Sequence, residues 1–493
     1  MAMRKLFVLT LGLLLLGAAQ AKPLQLLTAK TTSSKPKKIV AAKPAKPAAA
    51  KTVAAAKPAA PAKTSANRII QRSAVAAAGV TAAIAAPAIA SPKPVNYAEP
   101  GSFTPPPLVS APTPAPAPAR APTTVSDSGP EAQLDRIFQT IERNQLDKAL
   151  ELTENLLQQY PNFRLGNLIK GDLLMARARP IGAFGAGGPN DKVNELRDEA
   201  IARLKGYKQK PPADYVPRYL LQMQPDQKYA IVVDTQKSRL YLYQNDLGAG
   251  GRPRFVADYY ITHGKLGSEK SNEGDKRTPI GVYHVTSSLP KQKLADFYGN
   301  GAYPISYPNE WDRRQGRNGS GIWLHGTPSD TFSRPPKASD GCVVLANQDL
   351  DAIGKNLQIG LTPVIISNNI EWLSLDDWNK ERSELNRAID NWRADWESRD
   401  TERYLRHYSR RFQSPDMDFD HFASQKRTVN AGKDWIKVKL DNISVFRNPG
   451  RDEVVVVTFD QDYRSNNLNN AMKKRQYWIK ENGAWKIIYE GAA

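Results

Sequence analysis

The sequence predicts a multidomain protein with a helical region, a β-rich middle domain and an α+β domain at its end. Three observations carry this. Apolar residues recur at helical spacing from Pro130 onward, the period shortens to two residues between about Pro225 and Asn369, and helices followed by four alternating strands occupy the last 118 residues, 376–493. Residues before Pro130 follow none of these patterns.

The first 21 residues read as a secretory signal. Arg4 and Lys5 precede the apolar run FVLTLGLLLLGA, and Ala19-Gln20-Ala21 offers a small-x-small cleavage site. The run is short for a membrane span, which disfavours an uncleaved anchor. The predicted location is therefore the periplasm, with envelope association, in an oxidising compartment. Residues 22–129 are Ala-, Pro- and Lys-rich, with too little large apolar surface to offset ordering entropy, and are predicted to be a disordered linker. From Lys22 to Ser128 there are 14 Lys and Arg against Glu99 and Asp127, a net +12 of the formal +20. This suits a basic tether on an anionic envelope surface or a plain spacer. It leaves the folded remainder only mildly basic, so nucleic acid is not an expected partner.

Residues 130–224 are predicted to be helical. EAQLDRIFQTIERNQLDKALELTENLLQQYPNF resembles one tetratricopeptide (TPR-like) hairpin, a unit that needs a neighbour to bury its face. Residues 225–369 alternate as strands: YAIVVD, RLYLYQN, RFVADYYITHG, KRTPIGVYHVTSSL and GIWLHGT. Residues 376–493 open with a helix carrying Trp378, Trp392 and Trp396 and close with four strands. Helices before a sheet resemble the nuclear-transport-factor-2-like (NTF2-like) fold, which says little about chemistry. Dimerisation through that domain is a further expectation. Asp416, Asp418, Asp420 and His421 suggest a metal at first sight, but a solvated acidic turn at a helix start is the better reading.

The chemistry concentrates in HGTPSDTFSRPPKASDGCVVL, His325 to Leu345. Cys342 is the only cysteine in 493 residues. A lone thiol in an exported chain is an intermolecular disulfide partner, a reactive group or a small buried hydrophobe. Its neighbours favour reactivity. Gly341 permits a sharp bend before it, His325 closes a strand and can serve as a base, and the amides of Asp340, Gly341 and Cys342 can converge on an oxyanion.

These residues resemble the H-x(14–17)-[ST]-x-G-C signature of YkuD-type L,D-transpeptidases, and TPIGVYHV resembles that family's TPxGxF/Y strand. The implied fold is a β-rich L,D-transpeptidase catalytic domain flanked by an N-terminal helical (TPR-like) region and a C-terminal α+β NTF2-like domain. The implied function is peptidoglycan biosynthesis, in cell wall organisation and cell shape. A cysteine acyltransferase forms a thioester with a tetrapeptide donor and passes the acyl group to a diamino-acid amine, giving 3→3 cross-links, or to another amine acceptor. Cys342 matches the nucleophile, His325 the base, Gly326 the residue whose carbonyl orients that base, and Ser339 and Gly341 the turn. Asp340 stands where the family often has histidine, and Val344 where arginine or asparagine is common.

Arg334, Arg313, Arg314 and Arg317 are candidates to meet stem-peptide carboxylates, with solvated surface arginines as the alternative. His263 and His284 lie in strands and are expected to be structural. Neither a cofactor nor a metal is expected, since no HExxH or paired cysteines occur. The rival readings are an L,D-carboxypeptidase, a hydrolase releasing peptidoglycan-linked protein, and a non-catalytic wall-binding scaffold.

Overall fold

A computed structural model of the chain describes residues 129–493, apart from 186, 187, 189, 451 and 452. The predicted signal peptide and nearly all of the predicted linker lie outside the described residues. Four helices come first: α1 (Pro130–Glu142), α2 (Leu146–Gln159), α3 (Arg164–Ala178) and α4 (Asn190–Lys208). Pro130 opens α1, where a missing N–H costs nothing, and Asn144 at φ 58° turns the chain into α2. Their apolar stripes meet around Leu134, Ile137, Leu150, Leu156 and Ile169. Phe332 of the next domain packs on this core, so the helices do not close on themselves.

The helical expectation for 130–224 fails beyond Lys208. Pro211, Pro212 and Pro217 supply no N–H donors for a helix, and two short strands form instead, β1 (Tyr215–Pro217) and β2 (Leu220–Gln222). The first pairs with residues 372–374, and the second extends the sheet of the C-terminal domain.

The middle domain comprises β3 (Tyr229–Asp234), β4 (Arg239–Asp246), β5 (Arg252–Tyr260), β6 (His263–Gly264), β7 (Gly281–His284), β8 (Leu289–Pro290) and β9 (Gly301–Pro304). Helix α5 (Glu310–Arg314), β10 (Trp323–His325), β11 (Lys337–Ser339), β12 (Val343–Val344), helix α6 (Asn347–Gly354) and β13 (Pro363–Ser367) follow. One sheet runs β5-β4-β3-β13-β7 and another β12-β10-β9-β8. The unbroken apolar run of β3 reflects burial on both faces. Ile231 and Val233 join the core shared with Leu324 and Val343, while Ala230 and Val232 face the C-terminal domain.

After β14 (Trp372–Ser374), α7 (Leu375–Glu397) starts at an N-cap where the Asp377 N–H donates to the Ser374 hydroxyl. It buries Trp378, Leu385, Ile389, Trp392 and Trp396 at helical spacing. Arg399 at φ 65° stops it, and α8 (Thr401–Leu405) and β15 (Tyr408–Gln413) follow. Helix α9 (Phe419–Ala431) and strands β16 (Ile436–Arg447), β17 (Val454–Ser465), β18 (Leu468–Glu481) and β19 (Ala484–Ala492) complete the domain. The sheet therefore has six strands, β15-β19-β18-β17-β16-β2, where four were expected. Asp418 is the N-cap of α9, accepting from the His421 N–H at 3.0 Å. Among the described residues no group of three metal-ligating side chains is gathered.

Candidate active site

Strand β10 ends at His325, and β12 begins one residue after Cys342. The two strands pair in parallel, Leu324 with Val343 and His325 with Val344. Leu324 and Val343 point into the core. Because side chains alternate, His325 faces the opposite side. Cys342, one residue ahead of the register, shares that side with His325. The strand pair thus brings base and thiol candidates to one surface without any direct bond between them.

Backbone groups fix the imidazole. His325 Nδ1 lies 2.7 Å from the Gly326 carbonyl, and a carbonyl only accepts, so Nδ1 carries the proton and Nε2 is left as the basic nitrogen. His325 is 1% exposed, and its ring packs against Tyr298 (centroids 5.1 Å) and Phe297 (5.9 Å), which also touch each other. Burial pushes its pKa down to about 4, against the pull of the Gly326 carbonyl. Gly326 is itself clamped. Asn347 accepts from the Asn300 N–H at 2.9 Å and donates to the Thr327 carbonyl at 2.8 Å. A Cβ on Gly326 would lie 2.1 Å from Asn347 Oδ1, so no other residue fits without displacing the clamp.

The turn before the thiol is equally determined. Gly341 has φ 128°, and a Cβ there would lie 2.8 Å from the Arg277 carbonyl. Ser339 accepts from the Gly341 N–H at 3.2 Å and donates to the Cys342 carbonyl at 2.6 Å. Gly341's amide is therefore engaged inside the turn and does not converge with those of Asp340 and Cys342, as had been expected. Thr278, from the TPIG segment, donates to the Gly341 carbonyl and accepts from the Gly264 N–H, both at 2.9 Å.

Cys342 is half-buried, and its thiol donates to the Gly321 carbonyl at 3.4 Å. Burial pushes its pKa up to about 11, and Asp340 adds to the rise. The Trp323 backbone N–H, Arg334 and Lys270 pull it down. The resting pair is thus a thiol beside a neutral imidazole.

Of the candidate arginines, Arg334 reaches the site. Its guanidinium lies 4.4 Å over the Phe297 ring and acts on the thiol electrostatically. Arg317 turns instead to the buried Asp312 at 3.1 Å, and Arg314 to Gln413 at 2.6 Å in β15. Arg313 is exposed beside them. Asp340 is exposed at the rim and pairs with Lys265 at 3.1 Å. His263 and His284 lie away in strands, and burial depresses both, to about 4 and about 3. Sequence reasoning missed Thr278, Asn347, Lys270, Phe297 and Tyr298. Only Thr278 carried a local signal, its place in TPIG.

Residues 228–366 match the family model of the L,D-transpeptidase catalytic domain, YkuD. The chain carries a YkuD-type L,D-transpeptidase domain. That family acts on peptidoglycan stem peptides. Residues 384–491 match the Cds6 C-terminal NTF2-like domain. No curated protein matches the chain. Among solved structures, Bd1075 of Bdellovibrio bacteriovorus is 28% identical at a TM-score of 0.51, over 57% of this chain and 98% of that one. The helical cell shape determining protein Pgp2 of Campylobacter jejuni is 26% identical at a TM-score of 0.48, over 56% and 95%. The His325–Cys342 surface lies inside the L,D-transpeptidase domain.

Proposed function

We propose that the protein is a peptidoglycan L,D-transpeptidase-type cysteine acyltransferase, with Cys342 as nucleophile and His325 as general base. The observation that supports this most is the 2.7 Å contact from His325 Nδ1 to the Gly326 carbonyl, which leaves Nε2 basic on the thiol's side of the strand pair. With thiol and imidazole both neutral at rest, the proton passes from sulfur to Nε2 as sulfur attacks the carbonyl of the stem's third residue. The amides of Asp340 and Cys342 are the candidate donors to the oxyanion. Collapse breaks the amide bond, the imidazolium returns its proton to the departing D-alanine amine, and a thioester remains. An amine of a second stem then takes the acyl group, giving a 3→3 cross-link.

Water as the second acceptor is favoured by one feature. Arg334 makes the thiol's surroundings cationic, with Lys270 paired to Asp275 at 2.8 Å, and Lys265 already neutralises Asp340, which leaves little to attract an ammonium side chain. The outcome is then an L,D-carboxypeptidase. Incubating the protein with disaccharide-tetrapeptide and resolving products by mass spectrometry separates the two: dimers formed with loss of D-alanine, or tripeptide alone. Neither product, with no thioester adduct on Cys342, would leave only a wall-binding scaffold. The acid limb of kcat/KM should fall below about pH 4–5 as His325 is protonated, which a pH series measures.

The wider assignment follows from the same reading. The chain acts in the periplasm after export, which fractionation tests, and a dimer through the C-terminal domain is open to sedimentation. Helices α1 and α2 fit a TPR-like hairpin whose open face is covered by α3 and α4, with Phe332 packed at its edge.

A further inference from the structure

Three consecutive residues of the loop between His325 and Cys342 are anchored to groups that all touch one side chain of the helical region. That side chain is Arg203, from α4, 2% exposed. Its Nε donates to Glu199 at 2.9 Å and its Nη1 to Glu131 at 2.6 Å. Its guanidinium carbon lies 3.9 Å from the Tyr260 ring centroid and 5.7 Å from that of Phe332.

Each contact leads to the loop. Phe332 packs its ring between Tyr160 (4.7 Å) and Phe163 (4.9 Å) of the helical region. The Ser333 hydroxyl donates to Glu199 at 2.6 Å, the same carboxylate oxygen that Arg203 holds. The Tyr260 hydroxyl donates to the Arg334 carbonyl at 3.0 Å. Beyond that carbonyl, the Arg334 side chain donates to the Phe297 carbonyl at 3.3 Å and stands over the Phe297 ring, which packs on the His325 imidazole (5.9 Å).

We propose that Arg203 is a positioning residue for the active site: through Glu199, Tyr260 and Phe332 it fixes residues 332–334, and so holds the Arg334 cation beside the Cys342 thiol. The helical region then belongs to the working part of the enzyme. A planar guanidinium meets two carboxylates and an aromatic face at once, which a lysine ammonium does not. The proposal rests on the Cys342 reading above only in taking the thiol as the group to be tuned.

The test needs no substrate, because Cys342 is the only thiol in the chain. The rate of its alkylation by iodoacetamide against pH reports the thiolate fraction directly. In the full chain, Arg334→Ala should move the profile to higher pH by about 1 unit, as a nearby cation is lost. Arg203→Lys and Ser333→Ala should move it the same way by a smaller amount, with Ser333→Ala leaving the whole buried ion network in place should Arg203→Lys fold poorly. Arg177→Ala, in an exposed pair on α3, should leave it unchanged. Profiles for Arg203→Lys and Ser333→Ala that overlay the parent while Arg334→Ala shifts would overturn the proposal. An unshifted Arg334→Ala overturns it through its premise. Neither result touches the acyl-transfer assignment, which the product assay decides separately.

Discussion

The helical region and the C-terminal domain both pack on the L,D-transpeptidase domain, but with different balances of polar and apolar contact. On the helical side the contact is mostly polar: Arg239 of β4, paired with Asp258, reaches Glu131 (3.3 Å), and Ser333 donates to Glu199. Arg203, held by Glu131 and Glu199, lies over the Tyr260 ring, with Phe332 as the apolar exception. On the C-terminal side it is mainly apolar, with an ion pair, Glu310 to Arg475 at 2.9 Å, at its margin. Trp311 stacks on Tyr477 at 5.7 Å, and Val232, Ile365, Phe446 and Val456 fill the space around them. Burial of apolar area stabilises without direction, whereas each buried carboxylate demands its partner at one place. The loop carrying Arg334 lies on the ionic side. We read the apolar seam as supplying stability and the ionic seam as supplying position, a division that substitutions can break.

The largest effect belongs to the apolar seam. Trp311→Ala should cost about 3–5 kcal/mol by urea unfolding and leave the Cys342 alkylation profile where it was. A loss under ~1 kcal/mol would remove the stabilising role assigned to that seam. Next comes Arg239→Leu, which strands Asp258 without a counter-charge and should also cost up to ~3–5 kcal/mol. The informative partner is the double variant Arg239→Leu/Asp258→Leu. If the ionic seam serves position more than stability, the double variant recovers most of the lost stability. A double variant as unstable as the single one contradicts that division.

Much of this was legible in the sequence, and the failures share a cause. β3 and the His325–Cys342 pair were readable because the evidence is local: an apolar run bounded by turns, and a glycine before a thiol. The Tyr215–Gln222 strands were missed because their partners are residues 372–374 and β16, far along the chain. β15 was missed for a similar reason, since it pairs with β19 near the C-terminus. The site divides in the same way. Gly326 and Gly341 are legible as turn residues, while Asn347, Lys270 and Arg203 act across loops whose closure no spacing reveals. Arg314 and Arg317 show the converse, as their sequence neighbourhood pointed at the cleft and their partners drew them elsewhere.

Acid should probe the middle domain that lies between the two seams. His263 and His325 are buried with pKa values pushed down to about 4. Between pH 6.5 and 4 the unfolded chain binds protons that the folded chain refuses, so stability falls as pH falls through that window and levels off below it. The effect is on the order of 2–3 kcal/mol per histidine. His263→Asn should flatten the dependence of the unfolding midpoint on pH. An equally steep dependence in that variant means that His263 is already charged in the folded state.

The smallest effect sharpens the ionic seam alone and has the opposite sign. Asp349, half-buried in the first turn of α6, is pushed up to about 7 by burial and by Glu131, against Arg203 and Arg239. Between pH 3.8 and 7 the folded state keeps a proton that the unfolded state releases. Its contribution is therefore full below pH 3.8, falls as pH rises from there to 7, and is lost above 7. Asp349→Asn should raise the melting temperature at pH 8 by about 1–2 °C, raise it less at pH 5, and leave it unchanged below pH 3.8. The same substitution relieves repulsion on Glu131, the carboxylate shared by Arg203 and Arg239. A stabilisation equal at all three pH values would show that Asp349 does not titrate in this window, and that the negative charge at the seam is carried by Glu131 and Glu199 alone.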